Sequence, residues 1–484
     1  MRYASVKLWS LVWVLVLAAD AANAATALER LQSADQPHFR LGHALPPLTR
    51  WGWSMSYDVR VELARHWGYA LEFGGYVTDD VADTLENPES EASRLCALAA
   101  SDPGRFSLFV LVAHGQFGEV PDSAWTRDAS GALPDGQQIW SPEAPDSIFA
   151  EAGRKWAGPI ARVRAKAPIS MVLNGGEYAM SVYGFGGKAW GADPKIMAAR
   201  GDRDWYDYLS ERKAHQELII AAAVRAAVPD RRYYLYYYTD GCPHRNRFPD
   251  WWHWAYDYKH MRPVSDIPNG SIYYNHFNSG WTGDNDMLTQ ALNSVAQQLS
   301  YGDALSYNWM NAGWKREELG DAGIGDNEHY MGYLKCYYTA GMIGGVAGYF
   351  AYPVETDPAC ISQMMVLGQA HALFSHLEEF LRQGDLLPGP SRHRWSADLP
   401  AYEFPTGDPE VRVLARRHRA RREWLLTAWA AGGPDRHVVV DVPELGTVRL
   451  RARDCGSVYR ARREDGRPRL RLVDVRGMWP TAGL

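Results

Sequence analysis

Cysteine is scarce in this chain of 484 residues, with five in all: Cys96, Cys242, Cys336, Cys360 and Cys455. No two stand in CxxC spacing, which argues against a structural zinc site or a thioredoxin-like redox pair. An odd count also leaves at least one thiol outside any bridge within the chain, so a packed core must hold the fold. Basic residues are not in excess: 51 Lys and Arg against 57 Asp and Glu give a net charge of -6, which excludes a polycation built for nucleic acid. HExxH, P-loop and GxSxG motifs are all missing. Gly184-Phe185-Gly186-Gly187-Lys188 has neither the Walker spacing nor a following Ser or Thr. There is no internal repeat and no low-complexity tract.

Long apolar runs are missing too. The run Leu8–Ala19 stops at 12 residues, short of the ~20 that span a bilayer, so no stable membrane span is expected. Arg2 and Lys7 precede it and Ala22-Asn23-Ala24 follows. A charged n-region, a short apolar region and a small-residue cleavage site form the pattern of a secretory signal peptide over residues 1–24. The mature chain is therefore expected to be secreted or periplasmic. Setting aside Arg2, Lys7 and Asp20 leaves it a charge of -7.

What is present is an ordinary globular composition, 46% hydrophobic and 22% charged, which rules out a mostly disordered chain. Added to it are 20 Trp and 27 Tyr, more aromatic surface than a core alone requires.

Between about residues 48 and 385, short apolar or aromatic runs alternate with longer helical patterns, the βα rhythm of a parallel sheet. The strands predicted are Leu48–Trp53, Tyr69–Tyr76, Phe106–Ala113, Ile169–Leu173, Tyr233–Tyr238, Ser271–Phe277, Ala304–Met310 and Gly345–Tyr352. Eight strands over ~340 residues suit a (β/α)8 barrel with insertions. Helical spacing is clear at Met287, Leu288, Ala291, Leu292, Val295 and Leu299 behind an N-cap candidate, Asp284. Tyr206–Val228 and Ile361–Leu381 behave alike.

Past Gln383–Pro390 the pattern changes to short β runs: Trp424–Trp429, His437–Val442, Thr447–Ala452, Ser457–Ala461 and Arg469–Val473. A small antiparallel sandwich is the expected form. The domains predicted are thus a signal peptide (1–24), a barrel (25–385) and a β-sandwich (386–484). Charge divides along the same boundary. Residues 411–476 hold 17 Arg, no Lys and eight acidic residues, a local +9, which leaves -16 on the rest of the mature chain. Arg449, Arg451 and Arg453 share one strand face, and Arg467, Arg469 and Arg471 another, by the two-residue period of a strand. Such faces suit either plain solvation or an anionic polymer or lipid.

Residues Ile169-Ser-Met-Val-Leu-Asn-Gly-Gly-Glu-Tyr178 carry the strongest chemical signal. An apolar fourth strand ends in Asn174, two glycines, Glu177 and Tyr178, and barrel enzymes keep their chemistry at the C-terminal ends of strands. Glu177 is the candidate acid/base; a role limited to binding a hydroxyl or capping a helix is the alternative. Its candidate partners are Asp240 after the fifth strand, Glu355 after the eighth, and Glu317 and Glu318 past the seventh. The other strand ends offer Trp51 and Trp53, then Glu72, Tyr274, Asn275 and His276, then Asn308 and Trp309. Aromatic faces stack on the C–H faces of sugar rings, while Asn, His and Glu bind hydroxyls. His253 and His260 could face a metal from one helix, but Asp257 between them could equally form an ion pair, and no metal or other cofactor is expected.

On these residues the chain resembles the retaining (β/α)8 glycoside hydrolases of clan A, in which a Glu after strand four, commonly preceded by Asn, is the acid/base. The resemblance extends to the barrel and the small β-domain after it. Here Gly175-Gly176 separates Asn174 from Glu177, and no Glu lies on the seventh strand where that family keeps its nucleophile. The partner therefore stays open between Asp240 and Glu355. What the resemblance implies is cleavage of an oligo- or polysaccharide by two carboxyls. A barrel that binds glycan without cutting it, and a polysaccharide lyase using Tyr and His, are the alternatives.

Overall fold

The computed structural model describes residues 27–51, 55–112, 120–175, 187–239, 257–272, 287–302, 305–311, 327–347, 358–390, 397–431 and 433–475. Parallel strands alternate with helices, in the order β1 (Arg50–Trp51), α1 (Tyr57–His66), β2 (Leu71–Val77), α2 (Glu91–Ser101), β3 (Leu108–Val112), α3 (Asp146–Lys166), β4 (Ile169–Gly175), α4 (Trp205–Ala227), β5 (Tyr233–Thr239) and β6 (Gly270–Ile272). Then come α5 (Met287–Ser300), β7 (Ser306–Asn311), α6 (Asn327–Thr339), β8 (Met342–Ala347), α7 (Pro358–Ser375) and α8 (Glu378–Gln383). Side by side the strands run β1-β8-β7-β6-β5-β4-β3-β2. A parallel bridge between Leu48 and Tyr69 joins the two ends of that order, so the sheet closes as a (β/α)8 barrel.

Two compact units make up the chain: Met1–Gly74, Met310–Leu387 and Glu403–Leu484 in one, Gly75–Trp309 and Pro388–Tyr402 in the other. In the second, β3, β4, β5 and β6 pair in parallel, with Leu111 opposite Leu173 and Leu173 opposite Leu235. The β3 run Leu-Phe-Val-Leu-Val is buried throughout, as expected where both faces of a parallel sheet are covered. Helix α4 starts where the Asp204 carboxylate accepts hydrogen bonds from the Tyr206 and Asp207 amides at 2.8 and 3.3 Å, satisfying donors that a helix start leaves unpaired. Gly153 of α3 lets α4 approach closely, since a Cβ there would sit 2.9 Å from the Ile220 carbonyl oxygen.

In the first unit, β1 pairs with β8, Arg50 opposite Val346. From Tyr330 to Thr339 every residue of α6 is buried, because the helix packs on α7 and on the C-terminal β structure. That β structure is a five-stranded antiparallel sheet and a two-stranded one. The larger orders β9 (Gly384–Leu386), β10 (Val411–His418), β11 (Glu423–Ala430), β14 (Ser457–Glu464) and β15 (Arg467–Val475) as β15-β14-β11-β10-β9. The smaller pairs β12 (Arg436–Val442) with β13 (Gly446–Ala452). Their alternate residues Val438, Val440, Val448 and Leu450 turn inward onto Val413, Leu426 and Ala428 of the larger sheet, the two-sheet core of a sandwich.

Three segments differ from the sequence expectation. The span Ile361–Leu381 is two helices, because His376 and Leu377 turn back with i→i−3 bonds to Leu373 and Phe374. The eighth strand begins at Met342, earlier than Gly345. Strand β10, which had no counterpart among the predicted runs, lies between β11 and the edge strand β9. No helix of the described residues is long and apolar enough to cross a membrane.

Candidate active site

Strand β4 ends at Gly175, and the side chain of its penultimate residue, Asn174, is fully buried. The Asn174 amide donates to Glu217 Oε2 at 3.1 Å and to the Tyr234 hydroxyl at 3.2 Å. On the same carboxylate, Oε1 accepts from the Tyr236 hydroxyl at 3.1 Å. Glu217 lies on α4, so Asn174 and both tyrosines point outward into the layer between sheet and helix, tying α4 to β4 and β5. One helical turn earlier, Lys213 is buried as well. Burial holds its ammonium down to about 8, with the Glu217 charge opposing. For Tyr234, burial first and Glu217 second push the phenol above its ordinary value. The sequence reading missed Glu217 and Lys213; the available signal was a Lys and a Glu four apart on the face of α4 that also buries Ile220, Ala221 and Val224.

On β7 the alternation of a strand sends neighbouring residues to opposite sides. Asn308 faces the helix layer, where its Oδ1 accepts from the Gly270 amide at 3.0 Å and its Nδ2 donates to Ser306 Oγ at 2.8 Å. Ser306 in turn donates to Gln298 of α5 at 2.7 Å. Trp309 points the other way, into the barrel, with its ring centroid 6.3 Å from Phe109 of β3 and 6.0 Å from Tyr307. Its indole N–H donates to Asn269 Oδ1 at 3.2 Å. Both Asn308 and Trp309 are fully buried.

In the other unit Glu72, on β2, is buried and forms an ion pair with Arg50 of β1. Arg60 of α1 donates to the Glu72 carbonyl at 2.8 Å. A buried Arg–Glu pair of this kind fixes the relative placing of two strands more surely than it adds stability. Back in the unit of β4, His260 pairs with Asp207 at 2.8 Å, beside Lys259 on the same carboxylate oxygen. Among the described residues no three His, Cys, Asp or Glu side chains gather as a metal site.

Of the residues singled out in the sequence, the structure therefore places Glu72, Asn174, Asn308 and Trp309 within interior networks, Asn174 and Asn308 each binding one barrel helix to its strand. Glu177, Asp240 and Glu355 lie outside the described residues, as do Glu317, Glu318, Trp53, Tyr178, Tyr274, Asn275, His276 and His253. Trp51 is described for its backbone, which pairs with Ala347. Gly175 and Thr239, the last residues of β4 and β5, stand on hydrogen-bonded neighbours with Gly175 opposite Tyr237.

No family model matches this sequence, and no curated protein matches it. Solved structures to which the chain is similar include an alpha-amylase from Anoxybacillus, described as a new glycosyl hydrolase subclass. It is 12% identical, with a TM-score of 0.40 over 86% of this chain and 82% of that one. A GH30 endoxylanase from Clostridium papyrosolvens is 12% identical with a TM-score of 0.37, over 88% of this chain and 99% of that one. A GH36 alpha-galactosidase from Geobacillus stearothermophilus, in complex with raffinose, is 10% identical with a TM-score of 0.44, over 93% of this chain and 58% of that one.

Proposed function

We propose that this protein is an exported glycoside hydrolase acting on an oligo- or polysaccharide, with Glu177 as its acid/base. The observation that carries the reading is a closed eight-stranded parallel barrel whose fourth strand ends at Gly175, two residues before Glu177. In barrels of this kind catalytic groups sit at the C-terminal ends of strands. A glycosidase needs a second carboxyl, to attack the sugar or to activate water. Asp240 comes one residue after β5 ends at Thr239, on the strand next to β4. Glu355 follows β8 by eight residues. Asp240 is supported by that adjacency, since neighbouring strands lie about 4.8 Å apart, and Glu355 by its following β8, which stands four strands along from β4 in the sheet order.

Chemically, Glu177 would enter the reaction protonated and pass its proton to the departing glycosidic oxygen, while the second carboxylate attacks the anomeric carbon or deprotonates a water. The signal-peptide pattern of residues 1–24 supports export. A reducing-end assay over neutral and acidic glycans, run on wild type and the Glu177→Gln variant, tests this reading. Hydrolysis of one glycan that collapses in the variant is the expected result; hydrolysis at the wild-type rate in the variant overturns the assignment.

A further inference from the structure

The C-terminal sheet carries a ladder of arginines that the barrel chemistry does not use. Strands β14 and β15 form an antiparallel hairpin in which Arg460 stands opposite Arg471 and Arg462 opposite Arg469. Residues directly opposite in such a pair point to the same face, so two like-charged pairs lie one above the other at the edge of the sheet. Side by side, like charges cost folding stability, and a sheet edge needs only a charge, not two matched rows of guanidinium groups, to prevent pairing with another chain. Arg460 is held by Glu423 at 2.8 Å and Glu379 at 3.2 Å. Among the described residues Glu464 serves both Arg462 and Arg469. Those two side chains keep 65% and 67% of their surface exposed.

We infer that this face binds an anionic polysaccharide, one bearing carboxylate or sulfate groups along its length. The guanidinium fork is matched to carboxylate and sulfate oxygens in pairs, and the segment 411–476 holds 17 Arg and no Lys. An extended polyanion can meet successive rungs of the ladder, which are set by the strand repeat of about 6.8 Å per two residues. Stable anchoring to a membrane takes a second, apolar signal beside the charge. On β14 and β15 the exposed large apolar residue, among those whose side chains are described, is Leu472, which by alternation faces away from the ladder. Single-stranded nucleic acid would require aromatic platforms for its bases, and Tyr459, the aromatic residue of the hairpin, is buried on the other face. The rest of the chain is strongly acidic, so the ladder would anchor the protein to an acidic matrix instead of drawing an acidic substrate into the barrel. Binding needs no turnover, so this inference and the hydrolase reading fail separately.

The test is equilibrium binding of the full-length protein to polygalacturonate at low and high salt, with neutral dextran as the blank. Wild type should bind the polyuronate, weaken as salt rises and ignore dextran. The Arg462→Gln/Arg469→Gln double variant, which should fold with a melting temperature at or above wild type because it removes an opposed like-charge pair, should bind at least about tenfold more weakly with a shallower salt dependence. Arg469→Gln alone should lose part of that, and Arg449→Gln, on the other sheet, very little. Four results would overturn the inference: no binding by wild type at low salt, undiminished binding by the double variant, an equal loss in Arg449→Gln, or tighter binding to anionic vesicles or an oligonucleotide than to polygalacturonate.

Discussion

Asn174 and Glu217 face each other across 3.1 Å in the layer between strand β4 and helix α4, with the Asn174 amide donating to the buried carboxylate. Residue 174 is thus what joins the strand leading to Glu177 to the helix behind it. Replacing it with Ala removes one donor to Glu217 and leaves a buried charge less well satisfied, a loss of about 1–3 kcal/mol. Denaturant unfolding of Asn174→Ala should show it as a lowered midpoint with an unchanged slope. A midpoint equal to wild type would mean that the amide contributes nothing to holding the strand.

Lys213 gives the same layer a pH dependence. Its ammonium titrates at about 8 in the folded protein against 10.5 ordinarily, because burial disfavours the charge. Below about 8 both folded and unfolded chains carry the proton, and the folded state bears the whole cost. Between about 8 and 10.5 the unfolded chain binds more protons, so this contribution to stability rises with pH, by up to about 3 kcal/mol across the window. Unfolding at pH values stepped from 7.5 to 9.5 should show that rise in wild type and lose it in Lys213→Met. A wild-type profile parallel to that of the variant would refute the assignment.

Much of this fold is legible in the sequence, and the failures have local causes. The eight barrel strands are readable because runs such as Leu108–Val112 are buried on both faces and therefore continuously apolar. Strand β10 escapes because Arg412, Arg416 and Arg417 interrupt its pattern. Arg416 is buried, and its guanidinium donates to the carbonyls of Thr339, Phe380, Leu381 and Gly384 at 2.9–3.2 Å. Those carbonyls belong to the ends of α6 and α8 and the start of β9, which helical bonding cannot satisfy; no local pattern announces an arginine placed to collect them. At the candidate site, Asn174, Asn308 and Trp309 were recognisable as strand-end polar and aromatic residues. Which side of the sheet each one takes depends on partners such as Glu217 and Gln298, distant in sequence.

Gly332 tests how α6 is seated against the sandwich. A Cβ at this position would clash with the Asp454 carbonyl oxygen and with the Trp429 ring. The backbone oxygen cannot move without shifting the turn whose Cys455 and Gly456 carbonyls accept from the buried Lys335 at 2.8 and 3.1 Å. Gly332→Ala, harmless by helix propensity, should therefore destabilise the protein by about 3 kcal/mol or more. Thermal unfolding checks it, and a melting temperature at or above wild type would show that α6 and the β-domain are not packed in this way.

Three single variants compared on one substrate separate the catalytic roles. If Glu177 donates the proton, Glu177→Gln should lower kcat by about 10²–10⁴, the usual contribution of a positioned acid or base, and flatten the pH profile on its alkaline side, where a general acid loses its proton. The nucleophile or base must be ionised, so removing it should erase the acidic side instead. Asp240→Asn and Glu355→Gln should then divide: one falls with Glu177→Gln and changes the acidic limb, and the other changes KM more than kcat because it serves only to bind. The product anomer settles the geometry independently, since carboxyls about 5 Å apart retain configuration and a wider pair inverts it. Retention would mean a close pair, and inversion a pair wide enough to hold a water between them. Full activity in both Asp240→Asn and Glu355→Gln would remove these two candidates and move the search to Glu317 and Glu318 past β7.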